Sequence, residues 1–271
     1  MKKLIVFTDL DGTLLDHENY KWIDAAAAIK QLQQHDYPLI FNSSKTYFEI
    51  RSLCEEMSNY NPIISENGSV VAVNIGCFEQ QPTELECYRL HYFGVPYGRV
   101  IEILQQLREQ HGFAFSGFHD MSPETIMANT GLSLHKAKAA ARREATEPLL
   151  WQDSEQRLQA FIAELEKRQL ILTRGGRFYH VMSPVDKGRA IQWLLECYRE
   201  REPDTRWLSM GLGDSDNDIR MLESVDYPVL VKNPAIRQPD VSHIKNIQIT
   251  ALTGPAGWNQ AVLDVIANMR A

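Results

Sequence analysis

Two acids two residues apart, Asp9 and Asp11, stand where the apolar run Leu4-Ile5-Val6-Phe7 stops, and Gly12 follows them. The run, with turn-forming residues after it, reads as a short strand buried on both faces. Near such a strand end both carboxylates can lean to one side, while the glycine lets the backbone turn tightly beneath them. Paired carboxylates so placed can hold magnesium and act on a phosphate ester; taken alone, the same string is also an ordinary solvated turn. A second acid cluster, Gly213-Asp214-Ser215-Asp216-Asn217-Asp218, follows the apolar run Trp207 to Leu212, and a polar loop, Asn42-Ser43-Ser44-Lys45-Thr46, follows Pro38-Leu39-Ile40-Phe41. Lys187 comes directly after Pro184-Val185-Asp186 and opens a helical pattern. A helix start disfavours a cation by up to ~1 kcal/mol, so this lysine asks for a functional reason.

The elements that must position these groups alternate. Trp22, Ala25, Ala26, Ile29 and Leu32 recur at helical spacing, as do Phe48, Ile50, Leu53 and Met57, and Thr46 with Glu49 has the spacing of a capping box. Pro62-Ile63-Ile64 and Ser69 to Val73 flank Glu66-Asn67-Gly68, which predicts a hairpin. After Lys187, the face Ala190, Ile191, Leu194 and Leu195, the strand at 207–212, the run Tyr227 to Val231 and a closing helix from Gly257 to Met269 resume the pattern. Strand and helix in alternation predict an α/β fold with a parallel sheet.

The middle reads differently. Tyr88 to Phe93 and Phe113 to Phe115 are strand-like, Val100 to Gln110 is an amphipathic helix, and an Ala-rich helix runs from about Ser133 to Thr146. Leu158, Phe161, Ile162 and Leu165 form a helical stripe, and Leu170 to Leu172 with Phe178 to Val181 flank a turn at Gly175-Gly176. Such a mixture predicts an inserted α+β unit at 84–182, with the parallel-sheet core formed by 1–83 and 183–271.

Composition narrows the function. A formal net charge of −7 over 271 residues argues against nucleic-acid or membrane-surface binding, so an anionic ligand must be held by local cations. Cys54, Cys77, Cys87 and Cys197 lack the spacing of a zinc or redox motif. No stretch approaches the ~20 apolar residues of a membrane span, and Lys2-Lys3 leads into a run too short for a signal peptide, so a cytoplasmic protein is expected.

In an open parallel sheet, ligands bind beyond the carboxyl ends of the strands, where the three polar loops fall. Asp9-Leu10-Asp11-Gly12-Thr13, the hydroxyl at the end of the second strand, the helix-opening Lys187 and the 213–218 loop resemble, in order, the four motifs of the haloacid dehalogenase-like phosphatases. The resemblance implies a Rossmann-like core and makes the insert an α+β cap. Within that superfamily, Asn42-Ser43-Ser44-Lys45-Thr46, Ser65-Glu66-Asn67-Gly68, Thr130-Gly131-Leu132 and the Arg143-to-Pro148 segment resemble the mannosyl-3-phosphoglycerate phosphatase branch. Ser43 stands where that branch usually carries threonine, and the hydroxyl is kept.

The resemblance implies roles. Asp9 is the nucleophile, a carboxylate already ionised at neutral pH. Asp11 is the general acid for the departing oxygen and then the base for water. Lys187 neutralises the nucleophile and the phosphoryl group, and Ser43, with Ser44 beside it, binds phosphoryl oxygens. Acids packed against a phosphoryl dianion repel by ~4 kcal/mol per pair at 4 Å and an effective dielectric of 20, which calls for a divalent cation. Oxygen-only ligands favour Mg2+, held by Asp9, the main-chain carbonyl of Asp11 and Asp214, while Asp218 acts through water or orients its neighbours. Asp216 reads as a helix-start residue. A phosphorylated sugar is the implied small-molecule partner, and the cap must select it. Arg142, Arg143, Arg174, Arg177 and His180 are the candidates to meet a glycerate carboxylate, since arginine binds carboxylates as a fork. Arg142 and Arg143, adjacent on a helix, are not expected to face the site together. Arg174-Gly175-Gly176-Arg177 is also compatible with a plain hairpin turn. A phosphomutase of the same superfamily and a non-catalytic sugar-phosphate sensor are the competing functions; a sensor should have lost a catalytic acid, and none of Asp9, Asp11 and Asp214 is missing.

Overall fold

The computed structural model describes residues 2–74, 88–174 and 178–270. Twelve strands are seen among them: β1 (Lys2–Thr8), β2 (Leu39–Asn42), β3 (Ile63–Ser65), β4 (Val70–Asn74), β5 (Tyr88–Tyr92), β6 (Phe115–Gly117), β7 (Glu147–Trp151), β8 (Ile171–Arg174), β9 (Tyr179–Met182), β10 (Arg206–Gly213), β11 (Tyr227–Lys232) and β12 (Gln248–Thr253). The α-helices are α1 (Ala26–Gln34), α2 (Tyr47–Met57), α3 (Tyr97–His111), α4 (Pro123–Thr130), α5 (Leu134–Ala140), α6 (Glu155–Glu166), α7 (Lys187–Arg201), α8 (Ile219–Leu222) and α9 (Gly254–Arg270).

The larger sheet has the order β12-β11-β10-β1-β2-β3-β4-β5, and the pairings from β12 to β3 are all parallel. β1 is continuous in apolar residues because both its faces are covered. Leu4 and Val6 enter the core made with α1 and α9, whereas Ile5 and Phe7 enter the core made with α7. Strand order reverses at β1, which lies between β2 and β10, so the loops leaving these strands open a crevice there. The fold is therefore the α/β, Rossmann-like parallel-sheet class that the sequence predicts.

A smaller antiparallel sheet, β6-β7-β9-β8, carries α3 and α6 on one face through Val100, Leu104, Leu107, Phe161 and Leu165. Two details depart from the sequence reading. The strand Tyr88–Tyr92, placed by sequence in the inserted unit, pairs antiparallel with β4 at the edge of the larger sheet. Alternation of apolar residues marks a strand without saying which sheet it joins. The Ala-rich helix stops at Ala140 instead of about Thr146, because the amides of Glu144, Ala145 and Thr146 donate to the carboxylate of Glu66 rather than to a helical ladder. Pro148, just beyond the expected helix end, lies within β7, opposite His180. The expected turn at Gly175-Gly176 and the residue Arg177 lie outside the described residues, as do Cys77, Cys87 and the predicted boundary at 83/84. Among the described residues no helix is long and apolar enough to cross a membrane.

Candidate active site

The site begins with the end of β1. Asp9 continues the ladder by donating its amide to Leu212 O at 2.9 Å, which sets it beside the end of β10. Trp258 Nε1 on α9 donates to Thr8 Oγ1 at 2.9 Å, and that hydroxyl donates to Asp9 O at 2.7 Å, so the strand end is pinned from below. Gly12 then turns with φ +79°; a Cβ there would lie 2.2 Å from Asn233 Nδ2 and 2.6 Å from Asp214 Oδ2. Only glycine suits both the backbone and the space.

Lys187, the first residue of α7, is buried, and its Nζ donates to Asp9 Oδ1 and to Asp218 Oδ1, each at 2.6 Å. The unfavourable helix-start position is thus offset by two carboxylates. Burial pulls the ammonium pKa down, but Asp218 and then Asp9 outweigh it, and the group stays charged above its ordinary value. The other oxygen of Asp218 accepts from Asp214 N, Ser215 N and Ser215 Oγ, all at 3.1 Å, so this fully buried acid folds the 213–218 loop as well as holding the lysine. Asp214 accepts from Thr13 Oγ1 at 3.2 Å and from Asn233 Nδ2 at 2.6 Å.

Asp9, Asp214 and Asp218 each offer a carboxylate oxygen within 4.8 Å of the others, all three buried. Burial, partly countered by Lys187, pushes the Asp9 carboxyl well above its ordinary range, with Asp218 and Asp214 adding to the rise. Asp214 is pushed up to about 6, by burial first and Asp218 second. Acids crowded into a dry site without an equal number of cations hold protons; a hard divalent cation relieves the same crowding. An all-oxygen donor set of this size fits Mg2+.

Asp11 is placed differently. Its Oδ2 accepts from Lys45 Nζ at 2.5 Å, and its Oδ1 is buried with no hydrogen-bond partner among the described residues. Ser43 follows β2, buried; its amide donates to Ile64 O at 3.0 Å and its Oγ accepts from Lys45 N at 3.3 Å. Helix α2 is capped by Thr46, whose side chain and that of Glu49 form the capping box, so Ser43 is not the helix cap. Ser44 is half-buried beside it.

The candidates from the middle of the chain separate. Arg142 lies past the end of α5 with its Cζ 3.4 Å from the centre of the Phe48 ring, and Arg143 turns inward and is buried. His180 is half-buried, its Nδ1 closed off from solvent with no hydrogen-bond partner among the described residues, and desolvation, reinforced by Arg143, lowers its pKa to about 4. Arg174 is exposed, its Cζ 5.9 Å from the Tyr179 ring centre.

Thr13, Lys45 and Asn233 were not singled out in the sequence, yet they hold Asp214 and Asp11 in place. Asn233 directly follows β11, another strand ending on the crevice side, so the strand-end rule applied to a fourth parallel strand finds it.

Residues 6–237 match the family model of haloacid dehalogenase-like hydrolases. The chain belongs to that family. It is 36% identical over 273 residues, covering 97% of both chains, to a glucosyl-3-phosphoglycerate/mannosyl-3-phosphoglycerate phosphatase of Methanococcoides burtonii. Among solved structures, a haloacid dehalogenase-like hydrolase from Bacteroides thetaiotaomicron superposes with a TM-score of 0.68 at 19% identity, over 98% of this chain and all of the other. The sucrose-phosphatase of Synechocystis sp. PCC6803, crystallised with sucrose and phosphate, gives 0.60 at 16% identity, over 100% and 99% of the two chains. At these identities the structures speak for the fold. Membership makes this haloacid dehalogenase-like chain a hydrolase, and Asp9, Lys187, Asp214 and Asp218 come together beside the ends of β1 and β10.

Proposed function

We propose that this hydrolase is a magnesium-dependent phosphatase that converts mannosyl-3-phosphoglycerate, or a related phosphorylated sugar, to mannosylglycerate and phosphate through a phospho-aspartyl intermediate. The observation that carries the reading is the buried Lys187 bonded to Asp9 at 2.6 Å, with Asp214 and Asp218 packed beside the same carboxylate. Lys187 draws the Asp9 pKa down against the burial that raises it, and a bound divalent cation would complete the ionisation of the nucleophile. An ionised carboxylate needs no base before it attacks.

Asp9, Asp214 and the main-chain carbonyl of Asp11 would hold the Mg2+, with Asp218 supporting them, and the bound ion would supply charge neutralisation for the phosphoryl oxygens. Asp9 forms the new O–P bond while the ester O–P bond breaks, and Asp11 gives its proton to the leaving oxygen. Asp11, now a base, takes a proton from water, whose oxygen displaces Asp9 from phosphorus and releases phosphate. Ser43 donates to a phosphoryl oxygen, and Lys187 stays bonded to Asp9 and neutralises the transferring group. The smaller sheet with its helices, from about residue 94 to 182, serves as the cap that chooses the substrate. Arg143, Arg174, Arg177 and His180 are its candidate contacts, and the name of the 36% identical relative supports a phosphoglycerate glycoside.

The test is phosphate release across sugar phosphates and phosphoglycerate glycosides, with magnesium and again with a chelator. Release that persists at full rate in Asp9→Asn sinks the mechanism, and isomerised sugar phosphate without release favours a mutase. A protein that binds these esters and turns none over is the sensor.

A further inference from the structure

Two strings marked out in the sequence, Ser65-Glu66-Asn67-Gly68 and the Arg143-to-Pro148 segment, have no part in the chemistry above, and the structure brings them together. Glu66 is fully buried. Its Oε1 accepts from Glu144 N at 2.8 Å, and its Oε2 accepts from Ala145 N at 3.2 Å, Thr146 N at 2.8 Å and Thr146 Oγ1 at 2.7 Å. Arg143 Nε lies 3.5 Å from the same Oε2 and donates to Thr146 O at 3.0 Å, and Arg143 Nη2 is bonded to Thr146 Oγ1. One core carboxylate therefore organises the whole turn that leads into β7.

The turn bearing Glu66 also touches the catalytic loops. Glu66, Asn67 and Gly68 have φ of +50°, +58° and +90°, a run of left-handed residues that two side-chain-bearing members enter only against a steric cost. Their backbone is held by Glu66 N donating to Lys45 O at 2.9 Å and Asn67 N donating to Ser43 O at 3.0 Å. A Cβ on Gly68 would lie 2.3 Å from Asp186 O, just before Lys187, and Asn217 Nδ2 reaches Asn67 Oδ1 at 3.4 Å. Three residues thus contact the Ser43 loop, the Lys187 helix start, the Asp214 loop and the cap.

We propose that Glu66 is a positioning residue for substrate selection. Its carboxylate latches the 143–146 turn onto the phosphate site, so that Arg143 and the cap strands β7 and β9 are set at a fixed distance from Asp9. The inference rests on the phosphatase reading for its consequence in turnover. The latch itself is a matter of hydrogen bonding. Glu66→Gln removes the charge that four donors and Arg143 share and places an amide NH2 against them, while the backbone bonds to the Ser43 loop survive. Thr146→Val cuts the contact from the cap side with little change of shape.

The experiment compares both variants with the wild type on mannosyl-3-phosphoglycerate and on p-nitrophenyl phosphate, which asks little of the cap. In parallel, amide hydrogen exchange is followed at residues 144–146. In Glu66→Gln the ratio of kcat/KM for the glycoside over the aryl ester should fall about tenfold to a hundredfold, mainly through KM, as expected for one buried acceptor lost. Exchange at 144–146 should quicken at least about tenfold. Thr146→Val should move both in the same direction by less, and it decides the matter if Glu66→Gln does not fold. Equal losses on the two esters would mean a merely structural role and would overturn the proposal, as would unchanged exchange at 144–146. If the wild type hydrolyses neither ester, the phosphatase reading has failed, and the exchange comparison alone still supports or overturns the latch.

Discussion

The Lys45 ammonium lies 2.5 Å from Asp11 Oδ2, a charge-assisted bond in which Lys45 carries a raised pKa. Burial acts to lower that pKa, and the attraction of Asp11, then of Glu49, overrides it. This pair fixes the carboxylate proposed to handle the leaving-group proton. Lys45→Met should therefore slow hydrolysis of alkyl phosphates, whose leaving oxygen needs protonation, by about tenfold to a hundredfold, within the range that general acid catalysis contributes. An aryl phosphate with a good leaving group should lose far less. Steady-state rates across esters of graded leaving-group pKa check this: a steeper dependence in the variant is expected, and a uniform drop would show that Lys45 does not act through Asp11.

Magnesium should stabilise the protein and should need Asp214. A ligand that binds only the folded state at a hundred times its Kd adds about 2.7 kcal/mol. The melting temperature of the wild type should rise with Mg2+ and return with a chelator, while that of Asp214→Asn should barely respond. Because Asp214 titrates at about 6 without metal, protons compete with the ion below that pH, and apparent affinity should weaken as pH falls through 6. Titration calorimetry at pH 5.5 and 7.5 reads the difference directly.

Gly12→Ala places a methyl group 2.2 Å from Asn233 Nδ2 at a φ of +79°. The backbone strain is of order 1 kcal/mol, and the displaced Asn233 releases its bond to Asp214 as well. Loss of most activity together with a lower urea midpoint is the expected result; a variant with normal kcat would show that the 9–13 turn tolerates a different geometry.

The sheet and its catalytic end were legible because their signals are local. Four apolar residues in a row at Leu4 to Phe7 require burial on two faces, and the polar loops that follow such parallel strands gather at one edge of the sheet. Thr46 and Glu49 announced the start of α2 by capping chemistry, and the structure has that box. The end of α5 was not legible, since the force that stops it is a carboxylate 78 to 80 positions earlier in the chain. Nor was the destination of Tyr88–Tyr92, because pairing with β4 is a tertiary choice that a five-residue strand does not encode by itself. The same holds for Lys45, an ordinary loop lysine until the fold brings Asp11 to it.

The smaller sheet carries a buried carboxyl, Glu147 on β7, and a half-buried imidazole, His180 on β9, whose pKa values move in opposite senses. Burial pushes Glu147 up to about 7, although His119 N and Tyr97 Oη donate to its carboxylate, and burial drives His180 down to about 4. For Glu147 the folded state binds the proton that the unfolded chain, with a value near 4.5, gives up, so its contribution is present below about 4.5 and is lost as pH rises to about 7. For His180 the unfolded chain binds the extra proton, so stability is gained as pH rises from about 4 to 6.5. The two slopes cancel through the interval they share. Glu147→Gln loses the glutamate slope, and its stability relative to the wild type should climb between pH 4.5 and 7 by an amount on the order of 1 to 3 kcal/mol, since each tenfold change in proton affinity on folding is worth about 1.4 kcal/mol. His180→Asn loses the histidine slope, and its stability relative to the wild type should fall by a similar amount between pH 4.5 and 6.5. Urea midpoints of the three proteins at pH 4.5, 5.5, 6.5 and 7.5 test the signs, and parallel profiles would show that neither group titrates as its surroundings demand.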